Sequence, residues 1–310
     1  MTSKTWLIIL PFLMLACGSE TEENSVEESP IEVVTFENYF QKISYAIGLD
    51  QGSGGRVFYT NDRLVGKFDL MQIKNGMVDY LASNPLQLET RAVDSVLALY
   101  LKEDGSVDSS IISKSIGSYA VGMNEAIVLV SAFVGRGIDQ EIVPATLVKG
   151  IEDGFSGVKT AYKLKDAQFD VATYYADINK KNGEAFLAEN KKKEGIIETA
   201  SGLQYKIFAK GNGPKPNTVD SVAVHYVGRF ISGEEFESSI NSSEPIKFGV
   251  LQVIKGWSEG LLLMNEGAKY RFYIPYNLAY GESGAGPIEP YSALVFDIEL
   301  VEVIKYKPNF

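Results

Sequence analysis

The sequence predicts an α+β protein: an N-terminal all-helical module with an internal repeat, a long connecting helix, and a C-terminal antiparallel sheet wrapped on one short helix. Three observations carry that expectation. Compared with itself, the chain matches at an offset of 74 residues without a gap, so that Ser44-Tyr-Ala-Ile-Gly48 falls on Ser118-Tyr-Ala-Val-Gly122. Gly76 and Asp79 likewise fall on Gly150 and Asp153, and Ala98 and Tyr100 on Ala172 and Tyr174. Apolar residues in each copy recur at helical spacing, with Leu70, Ile73, Met77 and Leu81 in the first and Leu147, Ile151 and Phe155 in the second. From Ser201 onward the pattern changes to alternation, the signature of strands.

Residues 1–16 read as an export leader. A single charge, Lys4, precedes the apolar run from Trp6 to Leu15, which has the length of a signal-peptide core and is too short to span a bilayer as a helix. Cys17, the only cysteine in the chain, follows Met14-Leu-Ala16 and resembles the cysteine of a bacterial lipobox, with Met14 where leucine is usual. That resemblance implies cleavage before Cys17 and a lipid anchor on it. From Cys17 to Gln41 every charge is negative, so residues 17–37 are expected to form an acidic, solvated tether. Ser19-Glu-Thr-Glu-Glu23 resembles the acidic signal of surface-directed lipoproteins, so the expected location is the outer membrane, facing the periplasm or the cell surface.

Residues 38–160 hold the helical module, each copy reading as about three helices, with the second continuing into the connecting helix of residues 161–195. That long segment contains one internal glycine, Gly183, and closes on Lys191-Lys-Lys193 and Gly195, which suits the negative end of a helix dipole. Residues 196–310 form the sheet domain. Val219–Val227, Tyr270–Ile274 and Leu294–Val303 read as strands, and Ile254–Leu263, with its apolar stripe, as the short helix.

Composition narrows the chemistry. With 29 Lys+Arg against 40 Asp+Glu and a formal charge of -11, the chain has no electrostatic footprint for nucleic acid. One histidine and one cysteine cannot build a zinc site of the usual ligands, a disulfide framework or a recurrent Cys/His dyad, and no cofactor or metal is expected. His225 alternates with Tyr226 along a strand and is expected to face the other way as a structural residue.

Five motifs of the sheet domain follow one known pattern in order and spacing: Val224-His-Tyr-Val-Gly228, Gly233-Glu-Glu-Phe-Glu-Ser-Ser239, Val253-Ile-Lys-Gly-Trp-Ser-Glu-Gly260, Ala279-Tyr-Gly281 and Leu294-Val-Phe-Asp-Ile-Glu-Leu300. They resemble the FKBP-type peptidyl-prolyl cis-trans isomerases. Phe186-Leu-Ala-Glu-Asn190 and Ser201-Gly-Leu-Gln-Tyr205 further resemble the macrophage infectivity potentiator (Mip) subgroup. The resemblance implies a pocket walled by Tyr226, Phe236, Phe248, Val253, Ile254, Tyr280, Ile288 and Phe296 over a Trp257 floor, with Glu237 beside Tyr226. It also implies that the Tyr280 hydroxyl and the Ile254 N–H hold substrate carbonyls. Three positions depart from the pattern: Glu237 stands for the usual Asp, Ile246 for a frequent Phe, and Glu289 for a more usual Pro. Modest activity and an altered preference for the residue before proline are the expected consequences.

Two functions fit: an isomerase acting on proline-containing clients among exported proteins, with the helical module as a chaperone-like part, or a non-catalytic binder of proline peptides acting as chaperone or surface factor. Mip-like proteins pair one helical unit per chain in a dimer, so two tandem units are expected to pair with each other in a monomer; a larger homodimer is the alternative.

Overall fold

The computed structural model describes residues 31–102, 106–242 and 244–307. The expected leader, Cys17 and the tether up to residue 30 lie outside them. The chain divides into two compact units, the first ending at Thr173 and the second beginning at Tyr174.

The first unit contains α1 (Tyr39–Thr60), α2 (Leu70–Leu81), α3 (Val93–Tyr100), α4 (Lys114–Arg136), α5 (Pro144–Ser156) and the start of α6 (Leu164–Asn190). Local chemistry sets several ends. The side chains of Asn38, Asp69 and Ser113 accept hydrogen bonds from the first-turn amides of α1, α2 and α4, Pro144 opens α5, and Gly137 and Gly157 close α4 and α5 in the left-handed conformation.

At the 74-residue offset α4 repeats α1 and α5 repeats α2, but the helices make their main contacts across the copies rather than within one. Helix α1 lies along α5, and α2 along α4. The crossings are reciprocal and backbone-tight: a Cβ on Gly48 would sit 2.1 Å from the Leu147 carbonyl oxygen, and one on Gly122 would sit 1.9 Å from that of Ile73. Only glycine permits so close an approach. Hydrogen bonds obey the same symmetry. Tyr45 donates to Asp153 at 2.8 Å and Tyr119 to Asp79 at 3.0 Å, while Val143 N–H donates to Ser44 Oγ at 2.8 Å and Asp69 N–H to Ser118 Oγ at 2.9 Å. The two copies therefore pack against one another within the chain.

Two boundaries differ from the expectation. The tether was expected to run through residue 37, yet Glu32 N–H donates to the Lys159 carbonyl at 3.1 Å, Ala161 N–H donates to the Glu32 carbonyl at 2.9 Å, and the Phe36 ring packs 5.3 Å from that of Tyr45. An aromatic residue and main-chain pairing outweigh the acidic composition there. The connecting helix spans Leu164–Asn190, inside the expected 161–195. Tyr162 precedes it and bonds to Asp170, and Lys191–Lys193 fall in the turn beyond its end.

In the second unit the remainder of α6 precedes β1 (Ile196–Glu198), β2 (Gln204–Lys210), β3 (Ser221–Phe230), β4 (Glu235–Ser238), β5 (Ile246–Gly249), α7 (Lys255–Leu261), β6 (Ala268–Ile274) and β7 (Leu294–Ile304). The strands form an antiparallel sheet in the order β1-β2-β6-β7-β3-β4, with β5 also paired to β3. Apolar residues on one face, among them Val222, Val224, Phe272, Leu294 and Leu300, are fully buried beneath Trp257 and Leu261 of α7. The α6 terminus is pinned to this sheet by a buried amide pair: Asn190 Nδ2 donates to Gln204 Oε1 at 3.0 Å, and Gln204 Nε2 to the Leu187 carbonyl at 2.9 Å. That pairing explains why the motifs around Asn190 and Gln204 occur together.

Candidate active site: an aromatic box on the sheet

The central strand β3 brings Tyr226 to the core face, and its alternation turns His225 away, where Nδ1 has no hydrogen-bond partner among the described residues. Two positions along, Gly228 leaves room for rings from both sides: a Cβ there would lie 2.7 Å from Phe236 and 2.7 Å from Phe296. Helix α7 delivers Trp257 into the centre. Its ring centroid lies 5.0 Å from Tyr226, 5.7 Å from Phe248 and 5.2 Å from Phe296, each edge-to-face at 82° to 90°. Phe236 meets Phe296 edge-on at 5.6 Å. Such contacts place positive ring edges on negative faces and hold the rings at fixed angles.

Val253, Ile254 and Tyr280 pack against the same cluster, and Ile288 is buried within it. Ile288 is held by a reciprocal backbone pair with Ala285 at 2.8 and 2.9 Å. Tyr280 follows the single helical turn Tyr276–Leu278 and is fixed by Gly281, whose N–H donates to the Tyr276 carbonyl at 2.9 Å. The Ile254 carbonyl accepts the first bonds of α7, from Trp257 and Ser258, so the Ile254 N–H stands outside the helical ladder. The structure thus brings Tyr226, Phe236, Phe248, Val253, Ile254, Trp257, Tyr280, Ile288 and Phe296 together in one place.

Glu237 is one methylene longer than the Asp usual at this position. The Tyr226 hydroxyl donates to Glu237 Oε1 at 2.8 Å, so the longer side chain keeps the contact. Burial, and then this carboxylate, push the Tyr226 hydroxyl well above the ordinary tyrosine range; burial and the Glu237 charge also raise Tyr280. Both tyrosines are therefore neutral donors at neutral pH. The Trp257 indole N–H is buried without a partner among the described residues, so the floor of the box carries one unused donor there.

Three contributors were not singled out from the sequence. Ser239 is fully buried and accepts the Tyr226 N–H at 2.8 Å, fixing the strand that presents the tyrosine. Phe230 extends the aromatic row, 5.0 Å from Phe236. Asn179 of α6 donates to Glu289 Oε2 at 2.9 Å and to the Pro290 carbonyl at 3.1 Å, clamping the loop that carries Ile288. Ser239 lay within a quoted motif; nothing local marks Asn179.

Comparison with known proteins bears on this geometry. A family model described as FKBP-type peptidyl-prolyl cis-trans isomerase matches residues 213–301, and one described as the domain amino terminal to it matches residues 114–207. The outer membrane protein MIP of Legionella longbeachae is 42% identical over 203 residues, covering 61% of this chain and 84% of that protein. The chain belongs to the FKBP-type peptidyl-prolyl cis-trans isomerases. The FKBP-type isomerase FkpA of Aeromonas hydrophila is 41% identical over 175 residues, covering 52% of this chain and 65% of that protein, just under two thirds of its length. A crystal structure of a peptidyl-prolyl cis-trans isomerase from Pseudomonas syringae pv. tomato, 40% identical, covers 42% of this chain and 96% of that one with a TM-score of 0.40. The amino-terminal match begins at Lys114, the first residue of α4, so the first copy of the repeat lies outside this FKBP-family match.

Proposed function

We propose that this chain is a lipid-anchored isomerase of X-Pro bonds in exported polypeptides, whose helical module holds the client while the bond rotates. The observation that supports it most is the closed set of rings around Trp257, with Tyr226 tied to Glu237. Rotation about an X-Pro bond meets a barrier of about 18 to 20 kcal/mol because it destroys amide resonance. Water hydrogen-bonded to the carbonyl favours the planar amide. A box of aromatic edges takes the proline ring, strips that water and grips the twisted form more tightly than the planar ones, each ~1.4 kcal/mol of preference giving tenfold in rate. Trp257 is the floor; Tyr226, Phe236, Phe248, Val253, Ile288 and Phe296 are the walls. The Tyr280 hydroxyl and the Ile254 N–H hold the flanking carbonyls, and no proton or electron changes hands.

The anchor is Cys17, exposed by removal of residues 1–16, and the site of action is the cell envelope, at the outer membrane. The outer-membrane name of the Legionella relative supports that location. The internal pairing of the two copies supports a monomer.

The test is proline-limited refolding of an exported protein in the presence of the chain from Cys17 onward. Acceleration proportional to its concentration supports the reading, and a rate equal to the uncatalysed one contradicts it. Labelled palmitate incorporated by the full chain and lost in Cys17→Ser tests the anchor. Light scattering showing a stable dimer would overturn the monomer.

A further inference from the structure

The two copies are symmetric in their helix crossings but not in what covers them. In copy two, Asp153 receives the Tyr45 hydroxyl and also Lys149 Nζ, at 2.6 Å. The Arg56 guanidinium lies over Gly157, where a Cβ would meet it. The Glu32–Phe36 segment runs beside residues 159–161, forming a bridge with Thr160 and setting Phe36 against Tyr45. At the related positions of copy one, Asp79 receives the Tyr119 hydroxyl and Asn84, but Asn75 stands in place of Lys149 and Val130 in place of Arg56. Among the described residues, the loop Asn84–Gln87 forms no bridge of the kind made by Thr160. An open cleft of about 490 Å³ lies there, lined by Leu86, Val130, Phe133 and Leu147, with Asp79 and Asp139 and no basic residue.

We propose that this cleft is a binding site for an extended polypeptide segment that presents a bulky apolar or aromatic side chain beside a lysine or arginine. The proposal rests on the client-holding reading of the helical module and gives that reading a place and a chemistry. Copy two supplies its own template: a strand-like segment, an aromatic ring against the tyrosine and a cation on the carboxylate. In copy one Tyr119 is itself fully buried, its hydroxyl accepting the Gln87 N–H at 3.2 Å, so the client's bulky side chain meets Leu86, Val130 and Phe133 instead and its cation meets the carboxylates. Two carboxylates without a base favour a cationic partner, and an apolar cavity of this volume accepts a large side chain with its neighbours. Because the cleft is separate from the aromatic box, it needs no proline in its ligand.

The test uses the chain from Cys17 onward and a fluorescein-labelled, proline-free dodecapeptide of Phe, Val and Lys, with a Glu-for-Lys version as control. The expected result is at least tenfold tighter binding of the Lys peptide. Installing the residues of the other copy, Asn75→Lys with Val130→Arg, is expected to weaken that binding at least tenfold while turnover of a short X-Pro peptide stays unchanged. Asp139→Asn, a substitution at an exposed side chain, is expected to weaken it by about threefold and to flatten its salt dependence. Unchanged binding in folded variants overturns the site. Suppression of aggregation by the wild-type chain with no preference for Lys over Glu overturns the site but leaves client holding standing. No peptide binding and no suppression of aggregation overturns both.

Discussion

Glu125 of α4 is 5% exposed, its Oε1 accepts the Tyr59 hydroxyl at 2.8 Å, and its Oε2 has no partner among the described residues. Burial is the dominant effect and lifts its carboxyl from 4.5 to about 7. A carboxyl raised on folding stabilises the protein fully below its unfolded value. That stability is lost as pH rises from about 4.5 through about 7, because the unfolded chain then ionises more readily than the folded one. At about 1.36 kcal/mol per factor of ten in proton affinity, the gap corresponds to ~3 kcal/mol at pH 8.5. The repeat contains its own precedent, since the position related to Glu125 is Gln51. Glu125→Gln should therefore stabilise the helical module by about 3 kcal/mol at pH 8.5 and by less than about 0.5 kcal/mol at pH 4.5. Urea unfolding followed by circular dichroism at 222 nm reads the helices. Trp257, the only tryptophan from Cys17 onward, reads the sheet domain by fluorescence and should not move. Equal effects of the substitution at both pH values, or destabilisation at pH 8.5, would refute the reasoning.

Tyr226→Phe removes the donor to Glu237 and should lower kcat/KM on a short X-Pro peptide about tenfold, or ~1.4 kcal/mol, with the Trp257 unfolding midpoint nearly unchanged. Gly122→Ala forces a Cβ against the Ile73 carbonyl and should cost the helical module about 3 kcal/mol, whereas Gly135→Ala, with nothing within 4 Å, should be neutral or slightly stabilising by urea unfolding. Asn179→Ala frees the Glu289–Pro290 stretch and should reduce kcat/KM roughly fivefold, mainly through KM, the equivalent of about one hydrogen bond.

Much of this architecture is legible in one dimension, because its strongest constraints are periodic. The repeat is visible since Gly48 and Gly122, and Tyr45 and Tyr119, perform identical duties at identical crossings. The strands β3, β6 and β7 read from alternation, and the aromatic box from motifs whose order survives in the chain. What escapes is pairing between distant segments. Glu32–Phe36 has a tether's composition, and only its partner at residues 159–161 makes it ordered structure. Asn179 sits on a helix of unremarkable pattern, 110 residues from Glu289. The exchange of helices between copies rests on small residues whose meaning depends on which backbone faces them. Glu237 is the opposite case: it departs from the usual Asp, yet its longer side chain still accepts the Tyr226 hydroxyl.

The most direct measurement is exchange NMR on a short Phe-Pro peptide with catalytic amounts of the chain from Cys17 onward. The account predicts cis/trans exchange that rises in proportion to added protein and falls when Tyr226 is replaced by phenylalanine. Exchange that stays on the uncatalysed scale of tens of seconds, with Trp257 still buried among its neighbouring rings, would contradict it.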